Sequence, residues 1–260
     1  MSKDVGTYPT KLDKEERQLA ISKKIIFFSA LIIIISFCYL LFRRWFLILD
    51  ATFGTYGSGF FIIRHDILIG FTIFFDSIQF LGILGLFIAF ILYKRIAKEE
   101  YQRYIIIIII TLGLMVALTF SRTLIIHIGT AQGTLEISLI GFLPTIEFYT
   151  YSYAFFIHWT DTFRILITIL LLTATIFFTN YLRSESNISV NVANKGPIVL
   201  SIFFAIYIIT IMIGVSYHGD NSLIHTLLYY FHYGSQNLLQ IGNIIVYSSY
   251  IKRSKLLIIS

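Results

Sequence analysis

The stretch KKIIFFSALIIIISFCYLLF, residues 23–42, carries no charged side chain between Lys24 and Arg43. The apolar run is continuous rather than alternating, so it reads as a helix and not as a half-buried strand. Ile25–Phe42 spans about 27 Å at 1.5 Å per residue, close to the roughly 30 Å hydrocarbon core of a bilayer. Comparable runs follow at Ile67–Tyr93, Tyr104–Ile126, Tyr153–Tyr181, Ile198–Tyr217 and Leu223–Ile251. A bilayer core offers the backbone no hydrogen-bond partner, so only helices or closed barrels cross it, and runs such as YIIIIIITLG are helical despite their β-branched residues. The expected fold class is all-α, a polytopic integral membrane protein with a bundle of six transmembrane helices. Composition agrees: 57% of the residues are hydrophobic, 13% are charged, and the mean hydropathy is +0.81. A soluble domain needs far more charge on its surface.

Charge placement sets the expected orientation. Lys and Arg are frequent in the N-terminal segment, in YKRIAKEEYQR, at Arg183 and Lys195, and in the C-terminal IKRSK, whereas the opposite connections hold Arg43, Arg44, Arg64 and Arg122. By the positive-inside rule both termini are cytoplasmic. The net charge of +6 is then explained by anionic lipid, and no nucleic-acid partner is expected. The organisation reads as a cytoplasmic N-terminal tail over 1–24, a six-helix domain over 25–251 and a cytoplasmic tail over 252–260. Within the first tail, LDKEERQLAISKK suits a surface helix with Asp13 as its cap. The N-terminus lacks the pattern of a cleaved signal peptide, and the expected location is the cytoplasmic membrane of a prokaryote. One cysteine, Cys38, allows no intrachain disulfide and no thiolate-rich metal site.

Polar residues inside the apolar runs demand partners, because a charge at mid-membrane costs about 2.5–3.5 kcal/mol on insertion scales. The second run carries Thr72, Asp76 and Gln79 on one face, and the fourth carries His158, Asp161, Thr162 and Arg164. The sixth carries His225, Tyr229, His232, Gln236 and Asn243 at steps of three, four or seven. These stripes are expected to face one another, with Arg164 neutralised by Asp161 or Asp76. The 17 tyrosines, with Trp45 and Trp159, are expected to mark the interfacial belt. Signatures of phosphate loops, nucleophile elbows and HExxH zinc helices are absent.

In VSYHGDNSLIHTLLYYFHYG, the histidines His218, His225 and His232 recur every seven residues. Gly219, Asp220 and Asn221 break the helix between the first two, so His218 closes the fifth run and His232 belongs to the sixth. Neutral imidazole is the commonest protein metal ligand. The candidate metal ligands are His158, His218 and His232, with His225, Asp220 and Glu147 as additional ligands. Imidazoles alone suit copper or zinc.

The order of the runs, RRW after the first, KEEYQR before the third and HYG in the last resemble a copper-binding membrane component of the copper membrane monooxygenases, the particulate methane and ammonia monooxygenases. The likeness is diffuse over nearly the whole chain. His218 and His232 share the spacing of the family's Asn-x3-His-x13-His copper pattern, with Gly214 at the Asn position. His158 matches the last position of a second pattern, Asp-x3-His-x12-His, whose other positions hold Gly141 and Thr145. The resemblance implies a copper-dependent oxidoreductase that hydroxylates a small apolar substrate, with quinol as reductant and other membrane subunits as partners. Two further readings fit the same residues. One is a metal-free structural subunit of an energy-converting or transport complex; the other is a b-type haem anchor with His158 and His232 as axial ligands.

Overall fold

The computed structural model describes residues 11–53, 60–132, 159–186, 195–216 and 222–257. These form α1 (Lys11–Phe53), α2 (Phe60–Lys94), a 3-10 turn at Glu99–Tyr101, α3 (Gln102–Gln132), α4 (Trp159–Ser186), α5 (Lys195–Ser216) and α6 (Ser222–Ser254), with no strand among the described residues. Each helix coincides with one of the apolar runs, for the reason that lipid imposes: the backbone must bond within its own segment. Stretches within α1 to α5 are long and apolar enough to cross a membrane, which makes this a multi-pass membrane protein in contact with the bilayer. The sixth expected span is a helix of the expected position and adequate length, but it is not apolar enough to join those five.

The first helix departs furthest from its expected bounds. It starts at Lys11 and continues without interruption through RRW to Phe53, about 64 Å at 1.5 Å per residue. Residues 11–24, which the sequence suggests as tail or surface helix, are therefore an extension of the first apolar helix. Gln18 ties the extension to the last turn of α2: its side-chain amide donates at 2.6 Å to the Leu92 carbonyl, which also accepts from the Arg95 N–H at 3.3 Å. Further up, the same pair of helices comes very close. Gly82 and Gly85 face Ser29, and a Cβ on Gly82 would stand 2.5 Å from Ile33 Cγ1 and 3.1 Å from the Ser29 carbonyl oxygen. Ser36 then donates its hydroxyl to the Phe75 carbonyl at 2.8 Å. Small residues bring the backbones together and hydroxyls bond across, the usual basis of helix packing in lipid.

The helices pack in a cycle, α1 on α2, α2 on α3, α3 on α4, then α5 on α6 and α6 back on α1, while α4 and α5 touch only lightly. The outer surface is apolar: α5 alone exposes Ile198, Ile202, Ile206, Ile209, Met212 and Ile213. The charges of Asp76, Arg122 and Arg253 and the amides of Gln79, Gln236, Gln240 and Asn243 lie inside instead, the reverse of a soluble bundle.

Near the ends of α2, α4 and α6 the interior is filled by aromatic rings. Phe90 meets Phe178 edge-on at 5.1 Å, Phe178 lies 5.3 Å from Tyr250, and the Tyr93 and Tyr181 hydroxyls meet at 2.6 Å. Tyr93, Tyr181, Tyr207, Tyr247 and Tyr250 are all fully buried. This corrects the expectation of a purely interfacial tyrosine belt. These five rings supply core volume, and those of Tyr93, Tyr181 and Tyr250 also supply interhelical polar contacts.

Candidate functional site

The chemistry of the interior is carried by one face of α6. His232, Gln236, Gln240, Asn243, Tyr247 and Tyr250 follow one another at steps of three or four and are all buried. Such steps place them along a single stripe. The flank towards α5 is pinned by Ser235, whose hydroxyl meets Thr210 at 2.8 Å, and by Gly242, where a Cβ would stand 3.2 Å from the Leu200 Cα. Towards α1, the ring of Tyr247 stacks on Phe37 at 6.0 Å. Towards α4, Tyr250 lies 3.3 Å from the Thr175 hydroxyl, and Arg253 donates to the Thr175 carbonyl at 3.3 Å while lying over the Phe178 ring. These contacts turn the polar stripe inward.

Across the interior, Asp76 of α2 accepts from the Arg122 guanidinium of α3. Loop-charge counting places Arg122 with the outer connections, but it lies within α3 with its side chain only 12% exposed. The neutralising partner of Asp76 is thus Arg122 and not Arg164. A sequence signal exists: Arg122 sits inside a run of apolar and hydroxyl residues, TFSRTLII, with no helix breaker beside it. The burial of Asp76 and Gln79 agrees with the expected second-helix stripe. Of the fourth, Arg164 is half-buried and Thr162 is exposed, while the Asp161 side chain lies outside the described residues.

Of the candidate metal ligands, His232 is the one whose surroundings are described. His158, His218, Asp220 and Glu147 lie outside the described residues, and so does the side chain of His225, whose backbone belongs to α6. The His232 ring stacks on Tyr207 of α5, centroids 5.8 Å apart and planes at 28°. The Gln236 amide donates to Nε2 of His232 at 2.6 Å. That bond uses the lone pair through which Nε2 would bind a metal, so a metal on this ring would have to displace Gln236 or approach Nδ1. Among the described residues no three His, Cys, Asp or Glu side chains form a group that could hold a metal ion.

Sequence reading misses the lower part of the stripe, Gln240, Tyr247, Tyr250 and Arg253. Their spacing from Gln236 and Asn243 in the same three-four rhythm is the signal. Several of the buried oxygens have no hydrogen-bond partner among the described residues: Gln79 Oε1, Thr123 Oγ1, Gln240 Oε1, Asn243 Oδ1 and the Tyr247 hydroxyl. Amides and hydroxyls of this kind hold and orient polar molecules; they neither titrate near neutrality nor act as strong nucleophiles.

No known protein family, curated protein or solved structure matches the chain. The functional reading rests on the interior itself.

Proposed function

We propose that the protein is a six-span membrane subunit of a transport or energy-converting assembly, with both termini cytoplasmic, in which the polar face of α6 forms the interior path. The observation that carries this reading is the burial of Gln236, Gln240 and Asn243 on one inward face, with the Gln240 and Asn243 oxygens unmatched by donors among the described residues. Buried polar groups are almost always hydrogen-bonded, and those that lack a protein partner are satisfied by water or a solute. Polar and ionisable residues within spans generally face such interiors and mark pathways.

The sixth span follows from the same asymmetry. α6 has 33 residues, about 50 Å of helix at 1.5 Å per residue, ample for a crossing. His232, Ser235, Gln236, Asn237, Gln240 and Asn243 are buried, while Leu227, Phe231, Ile241 and Ile245 are exposed for lipid. Orientation is supported by Arg95, Lys98, Arg103, Arg183, Lys195, Lys252 and Lys255, all exposed at the helix ends that share one side in an alternating bundle.

The test uses the full chain in proteoliposomes, with proton flux read by an internal pH dye and small-solute uptake by vesicle swelling. Flux above empty vesicles that falls to their level in Gln240→Leu and Asn243→Leu supports the path; equal flux in all three preparations removes it. The rival reading, a copper monooxygenase-like site using His158, His218 and His232, is supported by sequence spacing. Metal analysis of the native complex separates it: copper in stoichiometric amount that is lost in His232→Ala favours the oxidoreductase over the path.

A further inference from the structure

We infer that the seam between the start of the apolar part of α1 and the end of α6 binds the phosphate of an anionic phospholipid, whose acyl chains lie along the exposed faces of the two helices. The inference goes beyond the proposed path and does not depend on it.

Four lysines build the site. Lys23 and Lys24 stand where the apolar part of α1 begins, and Lys252 and Lys255 stand at the end of α6, which packs along α1. The two ends share one level, because the Lys23 ammonium donates to the Lys255 carbonyl at 3.5 Å. The turn that carries Lys255 is fixed from behind. The Leu256 N–H donates to the Arg253 carbonyl at 2.9 Å, Leu257 is fully buried in the core, and the Arg253 side chain reaches the Thr175 carbonyl of α4 at 3.3 Å. Lys24, Lys252 and Lys255 are exposed and Lys23 is half-buried. Helix packing therefore gathers these cations and keeps them accessible.

No acid answers them. Residues 222–257 contain neither Asp nor Glu, and the nearest carboxylate on α1 belongs to Glu16, two turns before Lys23. Glu15 pairs with Lys11 at 3.7 Å. Among the described residues none of the four lysines forms an ion pair. Like charges held side by side repel, and the carbonyls at the end of α6 offset only part of that repulsion. An external anion supplies the rest.

The surroundings select the anion. From Lys24 the exposed face of α1 continues through Phe28, Leu31 and Ile35 at steps of four, three and four, and from Lys252 the exposed face of α6 runs back through Ile245 and Ile241. A ligand that satisfies both halves joins a negative head to long apolar chains. A bilayer supplies that as a phosphodiester carrying acyl chains, and lysine ammoniums bind phosphate as point charges. An acidic peptide would match the lysines but would have to lay unsatisfied backbone against the apolar stripes.

The test titrates the full chain in dodecyl maltoside with phosphatidylglycerol or phosphatidylcholine and counts retained lipid by native mass spectrometry. Phosphatidylglycerol should be retained at concentrations where phosphatidylcholine is not, and the preference should fade as salt is raised. Lys252→Gln with Lys255→Gln should raise the phosphatidylglycerol concentration for half-occupancy at least about tenfold. The same loss of charge in Lys98→Gln with Arg183→Gln, at exposed positions after α2 and in the last turn of α4, should change it less than about twofold. Lys252→Arg with Lys255→Arg keeps the charge and should keep the binding. Equal retention of the two lipids overturns the anion recognition, and this comparison uses the unaltered protein, so it stands even where a variant fails to fold. Equal weakening by the two Gln pairs overturns the site and leaves only the general cationic field. Displacement of the lipid by an equal concentration of glycerol 3-phosphate assigns the lysines to free phosphate and overturns the lipid.

Discussion

The hydroxyls of Tyr93 and Tyr181 meet at 2.6 Å, their rings edge to face, and tie the end of α2 to the end of α4. Both residues are fully buried, so each hydroxyl depends on the other for much of its satisfaction. Tyr181→Phe leaves the Tyr93 hydroxyl facing a ring edge and should cost about 1–3 kcal/mol, whereas the double change to Phe should cost less than the sum of the singles. Reversible unfolding in detergent micelles, run as a double-mutant cycle, measures the coupling; additive costs would mean that the pair contributes nothing.

The Asp76–Arg122 pair should behave asymmetrically. Removing one partner, as in Arg122→Leu, strands a buried carboxylate and should cost about 3–5 kcal/mol, while Asp76→Asn with Arg122→Gln removes both charges and should recover much of that. Yield and melting temperature of Arg122→Leu, Asp76→Asn and the double variant decide it. A double variant as unstable as the worse single would show that the pair itself holds α2 to α3.

Close approach of α1 and α2 at Gly85 makes a second paired test. A Cβ there collides with the Ser29 hydroxyl, a side chain rather than backbone. Gly85→Ala should therefore destabilise by about 1–3 kcal/mol. Ser29→Ala in the same chain should restore part of the loss, measured by thermal unfolding. At Gly82 the collision includes the Ser29 carbonyl, so Gly82→Ala should resist such rescue.

His232 offers a test of what its ring does. With Gln236 donating to Nε2, Gln236→Leu should release that nitrogen and raise affinity for added copper or zinc at this ring, followed by metal titration of the purified protein. If His232 already serves a metal through Nε2 in the native complex, Gln236→Leu should leave metal content unchanged.

The apolar runs make the helices legible, because lipid admits one solution for a continuous run of that length. They also indicate which residues turn inward: Asp76, Gln79, His232, Gln236 and Asn243 are expected inside from their spacing, and all are buried. Charge counting is less reliable. Arg122 looks like a connection residue, since a lone arginine near the end of an apolar run is equally compatible with snorkelling to the surface and with an internal partner. The tyrosines mislead for a related reason. An amphipathic ring fits both the interface and a polar interior, and only the neighbours on other helices distinguish them.

Sequence by itself determined that the chain is helical, that it belongs in a bilayer, and where the helices lie, since these follow from the periodicity and length of apolar segments against a solvent that offers no hydrogen bonds. It left open which polar groups meet. The pairing of Asp76 with Arg122, the meeting of Tyr93 with Tyr181, the engagement of His232 by Gln236 under the Tyr207 ring, and the packing of Phe90, Phe178 and Tyr250 were decided by tertiary packing. Apart from the Gln236 bond to His232, those contacts join residues far apart in the chain, and the rotation of each helix about its axis is set by its neighbours' shapes rather than by its own spacing.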